Sequence, residues 1–194
     1  MRVINFNFSE FEDYLQSIVD DMTGAAQSIL ILGVKEGGIP IAKMVYQTMV
    51  NFNHINVDYS EILCQRPTTK VKKKNPQREK LLKSIFRYTP EIVLNQIRVA
   101  EHHLLSSKKR NTRRTIHTEY DRELYHYDLI LIVDDAVDTG YSMAEIINYV
   151  KRHHHQPVIK TLSAVVTKKN PVIMPDYSLY RDVLIRFPWS LDAK

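Results

Sequence analysis

Two adjacent carboxylates and a short turn form the stretch of this chain best suited to chemistry. Asp134 and Asp135 follow an apolar run, and Thr139, Gly140 and Ser142 come shortly after them. Carboxylate oxygens accept hydrogen bonds from sugar hydroxyls. Hydroxyl groups and backbone N–H groups at a helix N-terminus bind phosphate. The spacing therefore predicts a site for a ligand that carries both a sugar and a phosphate.

A buried strand and a following helix must position these groups. Residues 129–133 read Leu-Ile-Leu-Ile-Val, a short apolar run typical of a parallel strand buried on both faces. We expect this strand to end at the acid pair, a turn over residues 136–140, and a helix over residues 141–152. Ligands of open α/β sheets bind beyond the carboxyl ends of such strands, where the acid pair and the turn would lie.

This stretch closely resembles the phosphoribosyl diphosphate (PRPP) motif of type I phosphoribosyltransferases. That motif has several apolar residues, two acids, two or three variable residues, and then Thr-Gly and a small hydroxyl residue. Each part is present in residues 129–142. The resemblance implies transfer of ribose 5-phosphate from PRPP to a nitrogenous, purine-like base with release of pyrophosphate, as in purine salvage. The implied cofactor is Mg²⁺.

The resemblance also implies a role for each residue of the motif. Asp134 and Asp135 would accept hydrogen bonds from the ribose hydroxyls, directly or through a Mg²⁺ ion that they ligate. Asp138 matches the family position proposed as a general acid/base at the purine N7. The 5-phosphate site would be lined by Ala136, Val137, Thr139, Gly140 and Ser142.

A second part of the resemblance lies after the strand predicted at Ser28–Val34. Lys35, Glu36, Gly37 and Gly38 precede a predicted helix, and glycines let backbone N–H groups approach an anion closely. This turn resembles the pyrophosphate loop of the family, so Lys35, Gly37 and Gly38 would contact pyrophosphate. The family usually has Arg or Lys directly before the glycines, whereas Glu36 holds that position here.

The C-terminal part of the chain resembles the base-binding region of the family. Lys168 follows a predicted strand and matches the lysine that meets the exocyclic oxygen of 6-oxopurines. Residues 183–189, Val-Leu-Ile-Arg-Phe-Pro-Trp, resemble the hood of xanthine/guanine-type members, so Leu184 and Ile185 would contact the base. Leu184 replaces the usual stacking aromatic, and Ser190 replaces an expected acid.

A basic segment over residues 66–122 separates the two parts that carry the resemblance. It holds 16 basic and 5 acidic residues, a net charge of about +11, which leaves about −6 for the rest of the chain. Two helical patterns follow Glu79, and Pro90 opens the second. We predict one domain over residues 1–194 with this segment as a helical insertion, whose loop at Thr68–Gln77 closes over the site.

The order of the elements predicts an α/β fold with a mostly parallel, doubly wound sheet, and the resemblance implies a small C-terminal hood. The chain has no apolar run of membrane-spanning length and no signal-peptide core at its start. Cys64 is its only cysteine, so an internal disulfide is excluded. We therefore expect a cytoplasmic protein without a membrane partner, and we also expect a homo-oligomer.

Two other functions stay open on the sequence alone. Glu36, Leu184, Ser190 and the basic segment favour a regulator of the same fold that binds nucleotide or RNA without turnover. The other is a transferase that acts on a non-purine acceptor in a biosynthetic cluster. Single-stranded nucleic acid is not favoured as a partner, because the basic cluster at residues 108–114 lacks interleaved aromatic residues.

Overall fold

A mostly parallel six-stranded sheet forms the centre of the protein, as predicted. The computed structural model of the chain describes residues 1–35, 37–51, 55–65, 86, 89–107, 115–118, 127–153, 157–190 and 193. Its strands are Arg2–Asn5 (β1), Ser28–Lys35 (β2), Asn56–Gln65 (β3), Thr115–Thr118 (β4), Leu129–Val137 (β5), Val158–Val166 (β6), Tyr177–Arg181 (β7) and Val183–Arg186 (β8). The main sheet has the order β4-β3-β2-β5-β6-β7, and β4 runs antiparallel to β3 while the other pairs are parallel.

Helices cover both faces of this sheet. Three described helices, Phe8–Thr23 (α1), Gly38–Val50 (α2) and Tyr141–His153 (α4), pack on it, and the helix Glu91–Ser107 (α3) contacts β1. The apolar residues of α1 and α2 pack on one face, and those of α4 pack on the other. Within the ranges that the structure describes, no helix is both long and apolar enough to cross a membrane.

Alternate residues of the central strands belong to two separate hydrophobic cores. In β2, Ile29 and Ile31 join the core with α1 and α2, whereas Leu30 and Leu32 join the core with α4. Successive side chains of a strand point to opposite faces, so a sheet covered on both faces needs apolar residues at every position. Because Leu30 pairs with Ile130 of β5, the carboxyl ends of β2 and β5 lie side by side.

The strand β5 extends further than the sequence predicted. We expected it to end at the acid pair, but it continues through Ala136 and Val137. These two residues pair with Val165 and Val166 of β6, and this long-range pairing keeps the backbone extended. The turn is therefore shorter than predicted and lies between Val137 and the start of α4.

The hood combines both ends of the described chain with α3. β1 pairs in parallel with β8, and Arg186 at the end of β8 is only 4% exposed. Its guanidinium group donates to Asn5 Oδ1 at 3.1 Å, to Glu91 Oε1 at 2.8 Å and to Asn95 Oδ1 at 2.6 Å. The predicted C-terminal hood thus includes an N-terminal strand and is tied to α3 by one buried arginine.

Most of the predicted basic insertion lies outside the described residues. The loop at residues 68–77 and the basic cluster at residues 108–114 are both outside them. The second predicted helix is present as α3, which begins directly after Pro90 as expected. Leu94 of α3 is buried, whereas Ile97 and Leu104 are exposed. One domain over residues 1–194 stays a prediction.

Candidate active site

The acid pair lies at the carboxyl end of β5. The backbone N–H of Asp135 donates to Asp134 Oδ1 at 2.9 Å, which restrains the Asp134 carboxylate. Asp135 is half-buried, and this burial raises the pKa of its carboxyl group above the usual range of an aspartate. Interactions with Asp134, Trp189 and backbone N–H groups oppose that rise only in part. The two acids therefore have different environments although they are adjacent.

The predicted pyrophosphate loop packs directly against the acid pair. A Cβ atom added at Gly37 would lie 2.2 Å from Asp135 Oδ2. One added at Gly38 would lie 2.9 Å from the carbonyl oxygen of Val133 and 2.9 Å from the Cα atom of Asp134. All three distances are shorter than a normal contact of a Cβ atom. Glycine at both positions therefore lets the turn after β2 approach the end of β5 this closely. Two motifs that are distant in sequence thus form one surface.

Lys35 ends β2 beside this surface and pairs with Glu61 of β3. Lys35 Nζ lies 3.2 Å from Glu61 Oε2, and the two side chains are 26% and 29% exposed. The hydroxyl of Tyr59 donates to Glu61 Oε1 at 3.2 Å. Burial, followed by the Glu61 charge, raises the pKa of Tyr59 to about 12, so this hydroxyl stays protonated at neutral pH. Glu36, the departure from the family pattern, lies outside the described residues.

The turn after β5 leads into α4 with a conformation that suits glycine. Gly140 has a φ of +76°, and an added Cβ atom would lie 2.7 Å from the backbone nitrogen of Ile173. The backbone N–H of Val172 donates to the carbonyl oxygen of Thr139 at 2.9 Å, which ties the turn to a neighbouring loop. The first N–H groups of α4 and the Ser142 hydroxyl group lie here, as an anion site requires.

Asp138 and Lys168 lie at the adjacent ends of β5 and β6. Thr167, which directly follows β6, donates its backbone N–H to the carbonyl oxygen of Val137 at 2.9 Å. Its hydroxyl lies 3.4 Å from Asp138 Oδ1. Lys168 is partly exposed. The strand pairing therefore brings the predicted general acid/base and the predicted base-binding lysine to one edge, with Thr167 between them.

The hood residues have a different character from those of the sheet edge. Leu184 and Ile185 are 6% and 4% exposed, and Ile185 belongs to the core that also contains Phe187. Their predicted contact with a base stays a prediction. Trp189 stacks on Phe187 with ring centroids 4.9 Å apart and an interplanar angle of 16°. The indole also neighbours the Asp135 carboxyl group, so the C-terminal segment reaches the acid pair.

Glu61, Thr167 and Trp189 are neighbours of the site that sequence reasoning missed. Glu61 lies on β3 and Thr167 directly follows β6, and only the order of the strands in the sheet makes them neighbours of Lys35 and Asp138. Trp189 had the stronger signal, since it is the only tryptophan and follows a proline in the hood-like motif. Its approach to Asp135 depends on how the hood folds back, which no local pattern encodes.

The donor set of the acid pair suits Mg²⁺. This cation prefers carboxylate oxygens and is usually held by one or two carboxylates together with waters and substrate phosphates. Among the residues that the structure describes, no group of three or more His, Cys, Asp or Glu could hold a metal ion. Asp134 and Asp135 thus fit an ion shared with a substrate, and they do not fit a cage built by protein alone.

A protein-family model described as the phosphoribosyl transferase domain matches residues 8–194. No curated protein sequence matches the chain. Among solved structures, a purine phosphoribosyltransferase from Pyrococcus horikoshii is similar, with a TM-score of 0.59 and 17% identity over 98% of this chain and 95% of that chain. The xanthine-guanine-hypoxanthine phosphoribosyltransferase of Helicobacter pylori is similar too, with a TM-score of 0.59 and 14% identity over 98% and 96%.

A more distant similarity concerns a ternary substrates complex of hypoxanthine phosphoribosyltransferase from Trypanosoma cruzi. Its TM-score is 0.52, and its identity is 16% over 89% of this chain and 75% of that chain. At such identities the structural likeness shows the fold alone. The family match, by contrast, covers almost the entire sequence, including the acid pair, the glycine turn and β8.

Proposed function

This protein belongs to the phosphoribosyltransferase family and is an enzyme of that class, and on that premise we propose that it transfers ribose 5-phosphate from PRPP to a purine-like base. The observation that carries the proposal is the contact between the glycine turn and the acid pair. Gly37 lies against Asp135, and the turn into α4 follows three residues later. Groups suited to diphosphate, ribose and 5-phosphate therefore adjoin one another in that order.

Each part of PRPP has its own set of groups in this proposal. The backbone at Gly37 and Gly38, with the Lys35 ammonium, binds the diphosphate. Asp134 and Asp135 accept hydrogen bonds from the ribose hydroxyls. The 5-phosphate is bound by the turn and the first residues of α4, which are Ala136, Val137, Thr139, Gly140 and Ser142. The short distances at Gly37 and Gly38 support this assignment, because they bring the turn after β2 directly against the acid pair that would accept from the ribose.

In the proposed reaction, a nitrogen of the base bonds to C1 of the ribose while the bond from C1 to the diphosphate oxygen breaks. The bonding electrons leave with pyrophosphate, and the base nitrogen loses its proton. The transition state is oxocarbenium-like, so positioning and electrostatic stabilisation supply most of the rate enhancement. Mg²⁺, held by Asp134 and Asp135 when bound, would neutralise charge on the diphosphate.

The base is proposed to bind between the end of β6 and the hood. Asp138 exchanges a proton with the base, and Lys168 donates to an exocyclic oxygen. Leu184 and Ile185 form an apolar wall on the hood side. The similar structures are named as purine, hypoxanthine and xanthine-guanine-hypoxanthine transferases, which supports a purine-like acceptor.

Pyrophosphate release tests the reaction directly. The full chain is incubated with PRPP, Mg²⁺ and one nucleobase at a time, and pyrophosphate and the nucleotide product are measured together. We expect turnover with one or more 6-oxopurines and none without a base. Turnover only with a pyrimidine or with another amine would contradict the proposal that the acceptor is purine-like. No turnover with any acceptor, despite tight PRPP binding, would contradict the proposed reaction and favour a binding protein.

A further inference from the structure

One buried polar group of the hood lacks a partner. Trp189 Nε1 is shielded from solvent and makes no hydrogen bond of normal geometry with any described residue. Leaving a buried N–H group unpaired is unfavourable, and such groups are rare in folded proteins. An acceptor is therefore expected close to the indole, even where the geometry of a normal hydrogen bond is not reached.

An acceptor with an evident role, the Asp135 carboxylate, lies beside the indole. The indole of Trp189 lies close enough to lower the pKa of this carboxyl group, against the larger effect of burial. Gly37 also contacts the same carboxylate, since an added Cβ atom there would meet both carboxylate oxygens within 2.7 Å. The carboxyl group therefore lies between the glycine turn and the indole, and the N–H group is the donor on the hood side.

The indole itself is held firmly. It stacks on Phe187, which is 4% exposed, and its ring centroid lies 6.0 Å from that of Phe6. The following residue, Ser190, donates its backbone N–H to the carbonyl oxygen of Phe187 at 2.9 Å. Its hydroxyl oxygen accepts from Arg98 of α3 at 3.4 Å. These contacts hold the indole in place beside the Asp135 carboxyl group.

We propose that Trp189 is a positioning residue, whose indole N–H holds the Asp135 carboxylate in the orientation that binds the ribose of PRPP. This inference rests on the proposed function. A charged acceptor makes such a hydrogen bond stronger than a neutral one. The hood would thereby act on PRPP binding through Asp135, in addition to covering the base.

The single tryptophan makes the contact observable without any substrate. A ¹⁵N-labelled sample gives one indole N–H cross-peak, because Trp189 is the only tryptophan of the chain. Asp135→Asn removes the charged acceptor and should move that cross-peak. Asp58→Asn is the matched control, because Asp58 accepts from the Tyr127 hydroxyl at 2.5 Å and is not a neighbour of the indole. If the cross-peak moves equally in both variants, the proposed contact between the indole and Asp135 is overturned.

A double-mutant cycle separates positioning from packing. Trp189→Phe keeps an aromatic ring on Phe187 but removes the donor, and we expect it to weaken PRPP binding with Mg²⁺ about tenfold in calorimetry. In the Asp135→Asn background the same change should cost less than about twofold, because no carboxylate is left to position. An equal loss in both backgrounds would mean that Trp189 acts only through packing, and would overturn the proposal.

The two proposals fail in different ways. If the wild-type protein binds PRPP and Trp189→Phe binds it equally well, the role of Trp189 is overturned while the proposed function stands. If the wild-type protein does not bind PRPP, the proposed function fails and the role in PRPP binding fails with it. The cross-peak still decides in that case whether the indole contacts Asp135.

Discussion

The carboxyl edge of the main sheet takes its site residues from the ends of β2 and β5, whereas the hood joins β1, β8 and α3. At the edge, the glycine turn lies so close to β5 that an added side chain would collide with the Asp135 carboxyl group at Gly37 and with the backbone of Val133 and Asp134 at Gly38. In the hood, side chains do the joining, through the polar contacts of Arg186 and the stack of Phe187 and Trp189. Substitutions that add volume should therefore disturb the sheet edge most. Substitutions that remove a hydrogen-bond partner should disturb the hood most.

Gly37→Ala should have the largest effect, because it adds a methyl group where the sheet edge has no free space. The new methyl group would lie 2.2 Å from Asp135 Oδ2, so the turn or the carboxylate must move by about 1 Å. A displacement of that size in a catalytic site costs about 100-fold in rate. Pyrophosphate release with the best base measures this effect.

The control for Gly37→Ala is Gly24→Ala, a glycine remote from the site. Gly24 has a φ of +56° and nothing within 4 Å of an added Cβ atom, so the substitution strains the backbone without a clash. It should lower the melting temperature and leave turnover unchanged. If Gly37→Ala also lowers only the melting temperature, the glycine turn is not part of the site.

Arg186→Met should break the hood and spare the sheet edge. The substitution removes the charged donor to the exposed Asn5 and to the half-buried Asn95. Losing such hydrogen bonds should lower the free energy of unfolding by about 2–3 kcal/mol, with little added for Glu91, which is half-exposed. Urea unfolding measures the loss. Arg181→Met, on an exposed arginine, should change stability by less than about 0.5 kcal/mol. Equal losses in both variants would contradict a special role for Arg186.

Acid pH should weaken PRPP binding at a higher pH than an ordinary aspartate would. Burial raises the pKa of Asp135 above 3.8, so its carboxylate gains a proton earlier as the pH falls. Binding of Mg²⁺ and ribose hydroxyls needs the deprotonated form, so affinity should fall up to about tenfold for each pH unit below that pKa. Folding responds in the opposite sense. Protonated Asp135 makes its full contribution to the free energy of unfolding below the pKa that this residue has in the unfolded chain. That contribution is lost as the pH rises through its higher pKa in the folded protein.

Calorimetry over about pH 4 to 8 checks this pH dependence. Asp128→Asn is the control, because hydrogen bonds from Gln27 and Ser28 lower the pKa of Asp128 and keep its titration below that range. The wild-type protein and Asp128→Asn should share one profile, and Asp135→Asn should bind weakly with a flat profile. A flat profile in the wild-type protein would contradict the requirement for an ionised Asp135.

Glu61→Gln should have the smallest effect of these substitutions, and it should strengthen PRPP binding. The change removes the charge that pairs with Lys35 at 3.2 Å and keeps a group that can accept from Tyr59. The Lys35 ammonium then interacts more strongly with diphosphate. Partly exposed ion pairs contribute about 0–1 kcal/mol, so PRPP affinity should rise by about two- to fivefold at low salt. Weaker binding in Glu61→Gln would mean that Glu61 positions Lys35 rather than competing for it.

The sheet and its central motif were predictable because their signals are local. Apolar runs identified β2 and β5, and the acids and glycines mark the turns that follow them. The end of β5 was wrong by about two residues, since the pairing of Val137 with Val166 extends the strand and lies outside any local window.

The hood was only half predictable from the sequence. Its C-terminal strand was visible as an apolar run, but β1 has only four residues and pairs with a segment at the other end of the chain. The contact of Arg186 with Asn5 joins residues 181 positions apart, and such pairing is not encoded in hydrophobic periodicity. The approach of Trp189 to Asp135 has the same origin.

The central claim is that PRPP binds at the acid pair and the turn into α4. Isothermal titration calorimetry with PRPP and Mg²⁺ compares the wild-type chain with the double variant Asp134→Asn and Asp135→Asn. The account predicts binding by the wild-type protein and a loss of at least about 100-fold in the variant, since two charge-assisted interactions are removed. Thermal melting should show that the variant stays folded. Equal PRPP affinity in a folded double variant would contradict the account.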